Sequence, residues 1–230
     1  MKKLGTIIIS DIHCTKVFDQ KKCDYILKLL DRCERVIFNG DMWSYYIQSF
    51  DTFVESKWSQ LFPAFKAKNC IYIHGNHDRK NWCNYKVRLF SVYNTNEYVH
   101  QQDSLSFYIT HGHLISGDSV QNENYIKFNR TVFDFNRLNR SYKFYILLNR
   151  LLLKIFKEQK YSGILKHLNK PHYKFAAELP DNQILVVGHT HAPEFSPEKK
   201  YINVGFVNFG LAYYLNISEG KYTLECERYY

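Results

Sequence analysis

The sequence lacks the cysteine patterns that mark zinc fingers, thioredoxin-like redox sites and disulfide-rich domains. Its six cysteines are spread over 230 residues, and no two of them form a Cys-x-x-Cys pair. Isolated cysteines of this kind are typical of a protein whose thiols stay reduced in a cytosol. We therefore predict a cytoplasmic protein whose chemistry depends on other residue types.

Long hydrophobic runs, internal repeats and low-complexity linkers are missing as well. A membrane-spanning helix needs roughly 18 to 20 consecutive apolar residues, and the apolar stretch 144–156 is interrupted by Asn149, Arg150 and Lys154. The hydrophobic content of 45% and the aromatic content of 17% nevertheless indicate a globular fold with one sizeable core. We predict a single domain over residues 1–230 without a transmembrane segment.

Acidic residues are scarce relative to basic ones. The chain has 31 Lys and Arg against 22 Asp and Glu, for a formal net charge of +9. Most of this excess lies in residues 114–180, which hold twelve Lys or Arg and five Asp or Glu. An excess of this size predicts an anionic partner, and it suits a phosphate-bearing substrate, a nucleic acid or an acidic membrane surface equally well.

Hydrophobic periodicity predicts alternating strands and helices in the first part of the chain. Strands are expected at 6–9, 36–38 and 70–73, with helices over 21–32 and 51–65 between them. This alternation predicts an α/β fold with parallel pairing at its centre. In open sheets of this kind, functional groups lie at the carboxyl ends of the strands.

The second part of the chain changes character twice. Residues 125–160 have a helical pattern that separates two strands, and we predict a helical insertion or lid over 119–178 within the domain. Strand patterns resume at Ile184, and segments 211–216 and 221–226 predict a closing hairpin.

Five apolar strands end in polar side chains that can bind metal. The five stretches are Thr6–His13, Val36–Asp41, Cys70–Asp78, Phe107–His113 and Ile184–His191. In the third stretch, Gly75 is expected to permit an unusual backbone angle that lets the following side chains share one space. Together the strand ends supply imidazole nitrogens and carboxylate or amide oxygens from Asp11, His13, Asp41, Asn76, His111, His189 and His191.

This mixed ligand set indicates the kind of metal site. Nitrogen and oxygen donors suit first-row ions such as Mn²⁺, Fe²⁺ or Zn²⁺ better than Ca²⁺, which prefers oxygen alone. Seven ligands are too many for one tetrahedral ion, so we predict two ions bridged by one carboxylate at a spacing of roughly 3.5 to 4 Å. Asp41 is the predicted bridge.

In order and context, these motifs resemble the calcineurin-like metallophosphoesterase superfamily over residues 1–113 and 181–210. The resemblance implies a four-layer α/β/β/α sandwich with two mixed sheets and a helical insertion. It implies two divalent ions, with Mn²⁺ expected first and Fe²⁺, Zn²⁺ or Ni²⁺ as alternatives. One ion would be held by Asp11, His13, His191 and the bridging Asp41, and the other by Asn76, His111, His189 and Asp41.

The resemblance also implies a reaction, the hydrolysis of a phosphodiester or pyrophosphate bond through a metal-bridging hydroxide. His77 would contact the scissile phosphate or protonate the leaving oxygen, and Asp78 would orient His77. The sequence departs from the superfamily at Ser44, where an acid often follows the bridging aspartate by three positions. That departure puts the support around Asp41 in doubt, rather than metal binding itself.

The basic and apolar insertion gives the only indication of the substrate. It resembles the lids of UDP-2,3-diacylglucosamine pyrophosphohydrolases, which implies a lipid-linked or nucleotide-linked substrate, and we predict Arg130, Arg137 and Arg140 as its contacts. The same composition suits peripheral attachment to the acidic inner face of a membrane. Two alternatives are a nuclease-like phosphodiesterase acting on nucleic acid and a non-catalytic metal-binding interaction module on the same fold.

Overall fold

The larger of two β-sheets contains the first strands of the chain. The structure is a computed structural model that describes residues 3–117, 144–153, 163 and 165–230. This mixed sheet has seven strands: β1 (Leu4–Ile9), β2 (Cys33–Asn39), β3 (Ile71–Ile73), β4 (Tyr93–Thr95), β10 (Val207–Asn208), β11 (Leu211–Ser218) and β12 (Lys221–Arg228). Its order is β10-β11-β1-β2-β3-β4, with β12 paired to β11. The first four strands are parallel, and β11 runs antiparallel to β1.

The smaller sheet is also mixed and has five strands. They are β5 (Glu97–Gln102), β6 (Leu105–Thr110), β7 (Gln183–Val187), β8 (Glu194–Ser196) and β9 (Tyr201–Asn203), in the order β5-β6-β7-β9-β8. The three central strands are parallel, and the two edge strands are antiparallel to their neighbours. Parallel centres place the carboxyl ends of β6 and β7 side by side, as they do for β1, β2 and β3.

Helices cover the outer faces of both sheets. On the larger sheet these are α1 (Gln20–Arg32), α2 (Phe50–Val54) and α3 (Phe62–Ala67), and on the smaller sheet α4 (Lys170–Glu178). Between the sheets, aliphatic side chains such as Ile8 and Ile37 pack against Phe107 and Val186 in one buried cluster. This arrangement confirms the predicted α/β/β/α sandwich.

The prediction of one continuous helix over 51–65 is wrong. The segment forms α2, a 3₁₀-helix (Lys57–Leu61) and α3 in succession. Ser56 interrupts the helix, because its hydroxyl accepts a hydrogen bond from the backbone of Trp58 at 3.3 Å and so caps a new turn. Pro63 lies at the start of α3 rather than at a helix end, where its missing N–H costs nothing.

Part of the predicted insertion lies among the described residues. Residues 144–153 are helical, and the buried Leu153 packs with Phe206 and Phe209. The predicted substrate contacts Arg130, Arg137 and Arg140 lie outside the described residues, and the boundaries 119–178 stay a prediction. None of the described helices has the length and hydropathy that crossing a bilayer requires.

Candidate metal centre

The seven predicted ligands lie at the carboxyl ends of β1, β2, β3, β6 and β7, where the two sheets meet. Five of them have left-handed backbone, with φ of 57° at Asp11, 48° at His13, 61° at Asp41, 65° at His189 and 53° at His191. Non-glycine residues adopt this conformation at a cost, so it persists only where the surrounding contacts impose it. The hydrogen bonds between the strand ends are contacts of this kind.

Each of the two buried aspartates divides its oxygens between backbone and imidazoles. Asp11 Oδ2 accepts the backbone N–H of His189 at 3.0 Å, and Asp41 Oδ1 accepts that of His77 at 2.9 Å. These bonds tie the strand ends to one another across the site. The remaining oxygens, Asp11 Oδ1 and Asp41 Oδ2, face histidine nitrogens.

The first group of ligands surrounds Asp11 Oδ1. His191 Nε2 lies 3.1 Å from that oxygen and His13 Nε2 lies 3.5 Å from it. The two imidazole nitrogens are 3.0 Å apart. These three side chains bring their ligand atoms within 4.8 Å of one another.

The second group surrounds Asn76 Oδ1. His111 Nε2 lies 3.1 Å from this oxygen and His189 Nδ1 lies 3.0 Å from it. Asp41 Oδ2 is 3.3 Å from His111 Nε2 and 3.8 Å from His13 Nε2, so this one oxygen stands between the two groups.

The donor chemistry fits a cation. His111 Nδ1 donates its hydrogen to the Asn39 carbonyl at 2.8 Å, so in the neutral ring Nε2 carries only a lone pair. That lone pair meets the oxygens of Asn76 and Asp41, and three acceptors converge with no hydrogen between them. Either a proton or a metal ion is needed at this point, and such a nitrogen and oxygen set suits a divalent first-row ion.

Electrostatics show that protons can stand in for a metal. Burial disfavours the charged ring of His111, but the carboxylates of Asp41 and Asp11 outweigh it and raise the pKa of His111 to about 10. Burial would likewise raise the pKa of Asp41, but the charged imidazole of His111 holds that pKa well below its usual range. Ligands must lose such protons to bind metal, so metal binding at this site would release protons.

Two glycines allow the close approach of these groups. A Cβ atom on Gly75 would lie 2.2 Å from Asp41 Oδ1, and one on Gly40 would lie 2.3 Å from His111 Nδ1. Gly75 is not among the described residues with positive φ. The expectation that it permits an unusual backbone angle is therefore wrong, because what this position needs is space beside Asp41.

His77 lies at the edge of the ligand groups, with 31% of its side chain exposed. Its Nε2 is 3.9 Å from Asp41 Oδ2, and its Nδ1 is 3.0 Å from the hydroxyl of Ser44. Burial lowers the pKa of His77 to about 3, so the ring is neutral. Ser44 thus contacts this ring from the position where the superfamily often has an acid.

Asp78 holds the turn that carries His77. Its Oδ1 accepts the N–H of Gly75 at 2.6 Å, and its Oδ2 accepts the N–H of Met42 at 2.7 Å and the hydroxyl of Tyr72 at 2.6 Å. The contacts of the Asp78 carboxylate are with these groups and not with the imidazole of His77. Asp78 therefore fixes the backbone of the turn that carries His77, while Ser44 contacts the ring itself. That Asp78 orients His77 stays a prediction.

A cavity of about 840 Å³ opens over this site. Among its lining residues we call one polar group the cavity floor: His13, Asp41, Asn76, His77, His189 and His191. We call the apolar and aromatic group the cavity wall: Tyr46, Ile47, Tyr145, Leu165, Leu168, Pro171 and Phe209. Further polar residues line the cavity as well: Ser44, Ser116, Asn149, His167, Thr190 and Asn208. No Lys or Arg lines it among the described residues. Arg150 points elsewhere, because its guanidinium contacts Asp19 at 2.9 Å.

Several polar residues near the floor were not among the predicted site residues. His113, which the sequence indicated as a supporting or substrate-facing group rather than a ligand, is buried beside His111 with ring centroids 5.5 Å apart. Among the described residues, its Nδ1 and the buried Nε and Nη2 of Arg79 have no hydrogen-bond partner. Arg79 directly follows Asp78 in the sequence, a position that could have drawn attention to it. Nothing in the sequence marked Asn169, which bonds to the loop between His189 and His191 through Thr190.

Comparisons with known proteins bear on the family. A family model described as calcineurin-like phosphoesterase matches residues 5–193. A search among curated proteins finds no match.

Three solved structures illustrate the similarity. A predicted phosphoesterase from Streptococcus pneumoniae is 15% identical and covers 100% of this chain and 91% of its own, with a TM-score of 0.44. The phosphoesterase Yfce from E. coli is 14% identical, with 93% and 87% covered and a TM-score of 0.45. Vacuolar Protein Sorting 29 from Cryptosporidium Parvum is 15% identical, with 98% and 96% covered and a TM-score of 0.43. With TM-scores below 0.5, these structures give no information on activity.

Proposed function

We propose a function for this chain, which belongs to the calcineurin-like phosphoesterase family and is a metal-dependent phosphoesterase. It holds two divalent ions and cleaves a phosphodiester or pyrophosphate bond. The position of Asp41 Oδ2 between the two ligand groups, 3.3 Å from His111 Nε2 and 3.8 Å from His13 Nε2, carries the proposal. One carboxylate oxygen in that place can serve both ions. Mn²⁺ is the ion we expect first.

The ligands divide into two sets that share Asp41. The first set is Asp11, His13, His191 and Asp41, and the second is Asn76, His111, His189 and Asp41. Two such ions, when bound, neutralise charge on phosphoryl oxygens and lower the pKa of a water molecule. The chain's own contribution is to hold these ligands rigidly, through the backbone bonds that each aspartate accepts.

His77 is the proposed hydrogen-bond donor to the phosphate. If the hydroxyl of Ser44 donates to Nδ1, the neutral ring carries its hydrogen on Nε2, which faces the cavity side of Asp41. Nε2–H can then donate a hydrogen bond to a phosphoryl oxygen or to the leaving oxygen and stabilise the charge that develops there. A serine does not stabilise the charged ring as a carboxylate would, so His77 acts from its neutral form.

The cavity wall favours a substrate with an apolar group beside its phosphate. Its seven residues are apolar or aromatic, and no cation lines the cavity among the described residues. We therefore favour a lipid-linked or nucleotide-linked substrate. A nucleic acid would need several cations along its backbone, which leaves the nuclease reading dependent on Arg130, Arg137 and Arg140, outside the described residues.

An exposed apolar face supports contact with a membrane surface. In the helical segment 144–153, the exposed fractions of Phe144, Leu148 and Leu151 are 67%, 42% and 52%. The described core thus leaves this face in solvent, and the surrounding sequence is basic. We propose peripheral binding to acidic bilayers of a cytoplasmic membrane face. Sedimentation with vesicles that contain anionic lipid, and none with neutral vesicles, is the expected result.

Metal analysis combined with hydrolysis tests the proposed function. Purified protein should bind two Mn²⁺ ions per chain and hydrolyse bis(p-nitrophenyl) phosphate only while metal is present. Full activity in excess chelator would contradict it. Two bound ions without turnover on any phosphodiester or pyrophosphate would favour the non-catalytic interaction module.

A further inference from the structure

Buried polar side chains form a hydrogen-bond network beneath the loop that carries His189 and His191. Its centre is Asn169, the last residue of a 3₁₀-helix (Lys166–Asn169), which has no exposed surface. Asn169 Oδ1 accepts the hydroxyl of Thr190 at 2.7 Å, and its Nδ2 donates to the carbonyl of Ala192 at 3.1 Å. Asn169 is therefore bonded to the loop at two residues, Thr190 and Ala192.

Asn203 and Glu194 complete the network. Asn203 Nδ2 donates to Thr190 Oγ1 at 2.8 Å and to the carbonyl of Gly188 at 3.0 Å. Glu194 Oε2 accepts Asn169 Nδ2 at 2.8 Å. Because buried polar groups are costly unless they are paired, these mutual bonds fix each member in one orientation.

The loop that carries His189 and His191 has a backbone conformation that needs such support. His189 and His191 both have left-handed backbone, at φ of 65° and 53°, and Thr190 lies between them. Strained residues of this kind stay in place only when their surroundings impose the conformation. The two histidines belong to different ligand groups, so a shift of Thr190 would disturb both metal sites.

The segment that contains Asn169 also touches the cavity. Leu165, Leu168 and Pro171 line the cavity wall, whereas Asn169, between them in sequence, is fully buried against the loop. One short segment thus contacts the cavity with some residues and the metal-binding loop with another. A ligand that contacts Leu168 therefore contacts the same segment whose Asn169 is bonded to Thr190.

We propose that Asn169 is a positioning residue that couples the cavity wall to both metal sites through Thr190. The proposal rests on the proposed dimetal function, and it adds that an apolar group in the cavity and the metal ions strengthen each other's binding. Such coupling is reciprocal by thermodynamic necessity. Supporting residues behind metal ligands typically change metal affinity by about 10- to 100-fold when removed.

Mn²⁺ titration of metal-free protein tests the positioning role without any turnover. Asn169→Ala should weaken Mn²⁺ binding by about 10- to 100-fold. Leu168→Ala, on the same segment but facing the cavity, should leave Mn²⁺ affinity unchanged and raise KM for a substrate with an alkyl chain. Unchanged Mn²⁺ affinity in Asn169→Ala would overturn the proposal.

Thr190 provides a test that does not depend on the folding of the Asn169 variant. Thr190→Val removes the hydroxyl at nearly constant shape and should weaken Mn²⁺ binding, whereas Thr190→Ser keeps the hydroxyl and should restore it. Tyr108→Phe is the control, since it removes a hydroxyl bond outside the network, the contact to Glu97 on the edge strand β5. It should leave Mn²⁺ affinity unchanged. Equal losses in Thr190→Ser and Thr190→Val, or an equal loss in Tyr108→Phe, would indicate general destabilisation and contradict the proposal.

Two phosphonates that differ only in their chain test the coupling. Octylphosphonate should raise the Mn²⁺ affinity of the unaltered protein more than methylphosphonate does, and this difference should vanish in Asn169→Ala. The same difference in both proteins would overturn the coupling. An unaltered protein that binds fewer than two Mn²⁺ ions would instead contradict the proposed function, so the two failures are distinguishable.

Discussion

The cavity floor and the cavity wall differ in how deeply their side chains are buried and in how they are bonded. On the floor, Asp41 is 1% exposed and Asn76 is 6% exposed, and every ligand is bonded to a neighbouring strand end or faces another ligand. On the wall, Tyr145 is 44% exposed and Leu168 is 40% exposed. The floor is thus a rigid polar constellation, and the wall is a partly solvated apolar surface.

This difference separates two tasks. Phosphoryl transfer needs charges fixed in advance, which only buried and mutually bonded groups provide. Recognition of an apolar group needs surface area rather than exact geometry, and partly exposed side chains provide it. Changes on the floor should therefore affect turnover and metal content, whereas changes on the wall should affect the choice of substrate.

The largest expected effect is that of Asp41→Asn. The amide keeps the shape but removes the shared negative charge, so kcat with bis(p-nitrophenyl) phosphate should fall by roughly 10³-fold or more. Asp51→Asn is the matched control, since this exposed carboxylate lies at the surface, where it pairs with Lys86 and Asn84. Wild-type turnover in Asp41→Asn would show that catalysis does not need the negative charge of Asp41, and so would contradict its proposed role as the shared ligand.

His77→Ala should have the next largest effect. The variant should keep two metal ions and lower kcat by about 10² to 10⁴, because it loses the proposed hydrogen-bond donor to the phosphate but no ligand. Ser44→Ala, which removes only the contact to Nδ1, should lower kcat about tenfold, as expected for one hydrogen bond. Loss of a metal ion in His77→Ala, measured by elemental analysis, would make His77 a ligand instead.

Tyr145→Ala should have a smaller effect that depends on the substrate. Removing part of the wall should raise KM about 5- to 30-fold for a substrate with a long alkyl chain, the range for roughly 1 to 2 kcal/mol of lost apolar contact. KM for a small aryl phosphodiester should stay the same. Val99→Ala, on the exposed edge strand β5 away from the cavity, is the control. A uniform loss on both substrates would show that the wall is only structural.

Lys22 should give the smallest effect, which appears as a pH dependence of stability. Burial lowers its pKa from 10.5 to about 8, while its amino group donates to the carbonyl of Ile12, between Asp11 and His13, at 2.6 Å. Between pH 8 and 10.5 the unfolded chain therefore binds more protons at Lys22 than the folded one, so this residue's contribution to stability rises with pH.

Lys22→Met removes this contribution. The free energy of unfolding of the unaltered protein, minus that of Lys22→Met, should increase from pH 7.5 to pH 9.5 in urea titrations of metal-free protein. Parallel pH profiles for the two proteins would show that the buried amine does not lose its proton in the folded state.

The strand-end residues of the site could be identified from the sequence, whereas the residues that support them could not. Asp11 and Asp41 were identifiable because an apolar strand followed by a polar end is a local pattern, readable within about ten residues. The contact of Ser44 with His77 joins residues 33 positions apart, and that of Asn169 with Thr190 joins residues 21 positions apart. Neither pair has a local signature, so only the fold reveals them.

Two local predictions were wrong for physical reasons that patterns do not carry. The helix over 51–65 was expected to be continuous, because apolar spacing does not register the competing cap of Ser56. The sequence indicated a backbone role for Gly75, whereas the structure shows that this position must leave space for Asp41. That need could not be predicted, because Asp41 is distant from Gly75 in sequence. The sequence predicted an apolar and basic insertion over 119–178, which contains Tyr145, Leu165, Leu168 and Pro171 of the wall. The substrate contacts predicted in it, Arg130, Arg137 and Arg140, lie outside the described residues.

The shared position of Asp41 is tested most directly by counting the Mn²⁺ ions bound per chain in the unaltered protein and in Asp41→Asn. If one carboxylate serves both ligand groups, the unaltered protein binds two ions, and the single substitution weakens both binding steps together. An unaltered protein that binds one ion, or an Asp41→Asn variant that loses one ion while it binds the other with full affinity, would contradict a shared carboxylate.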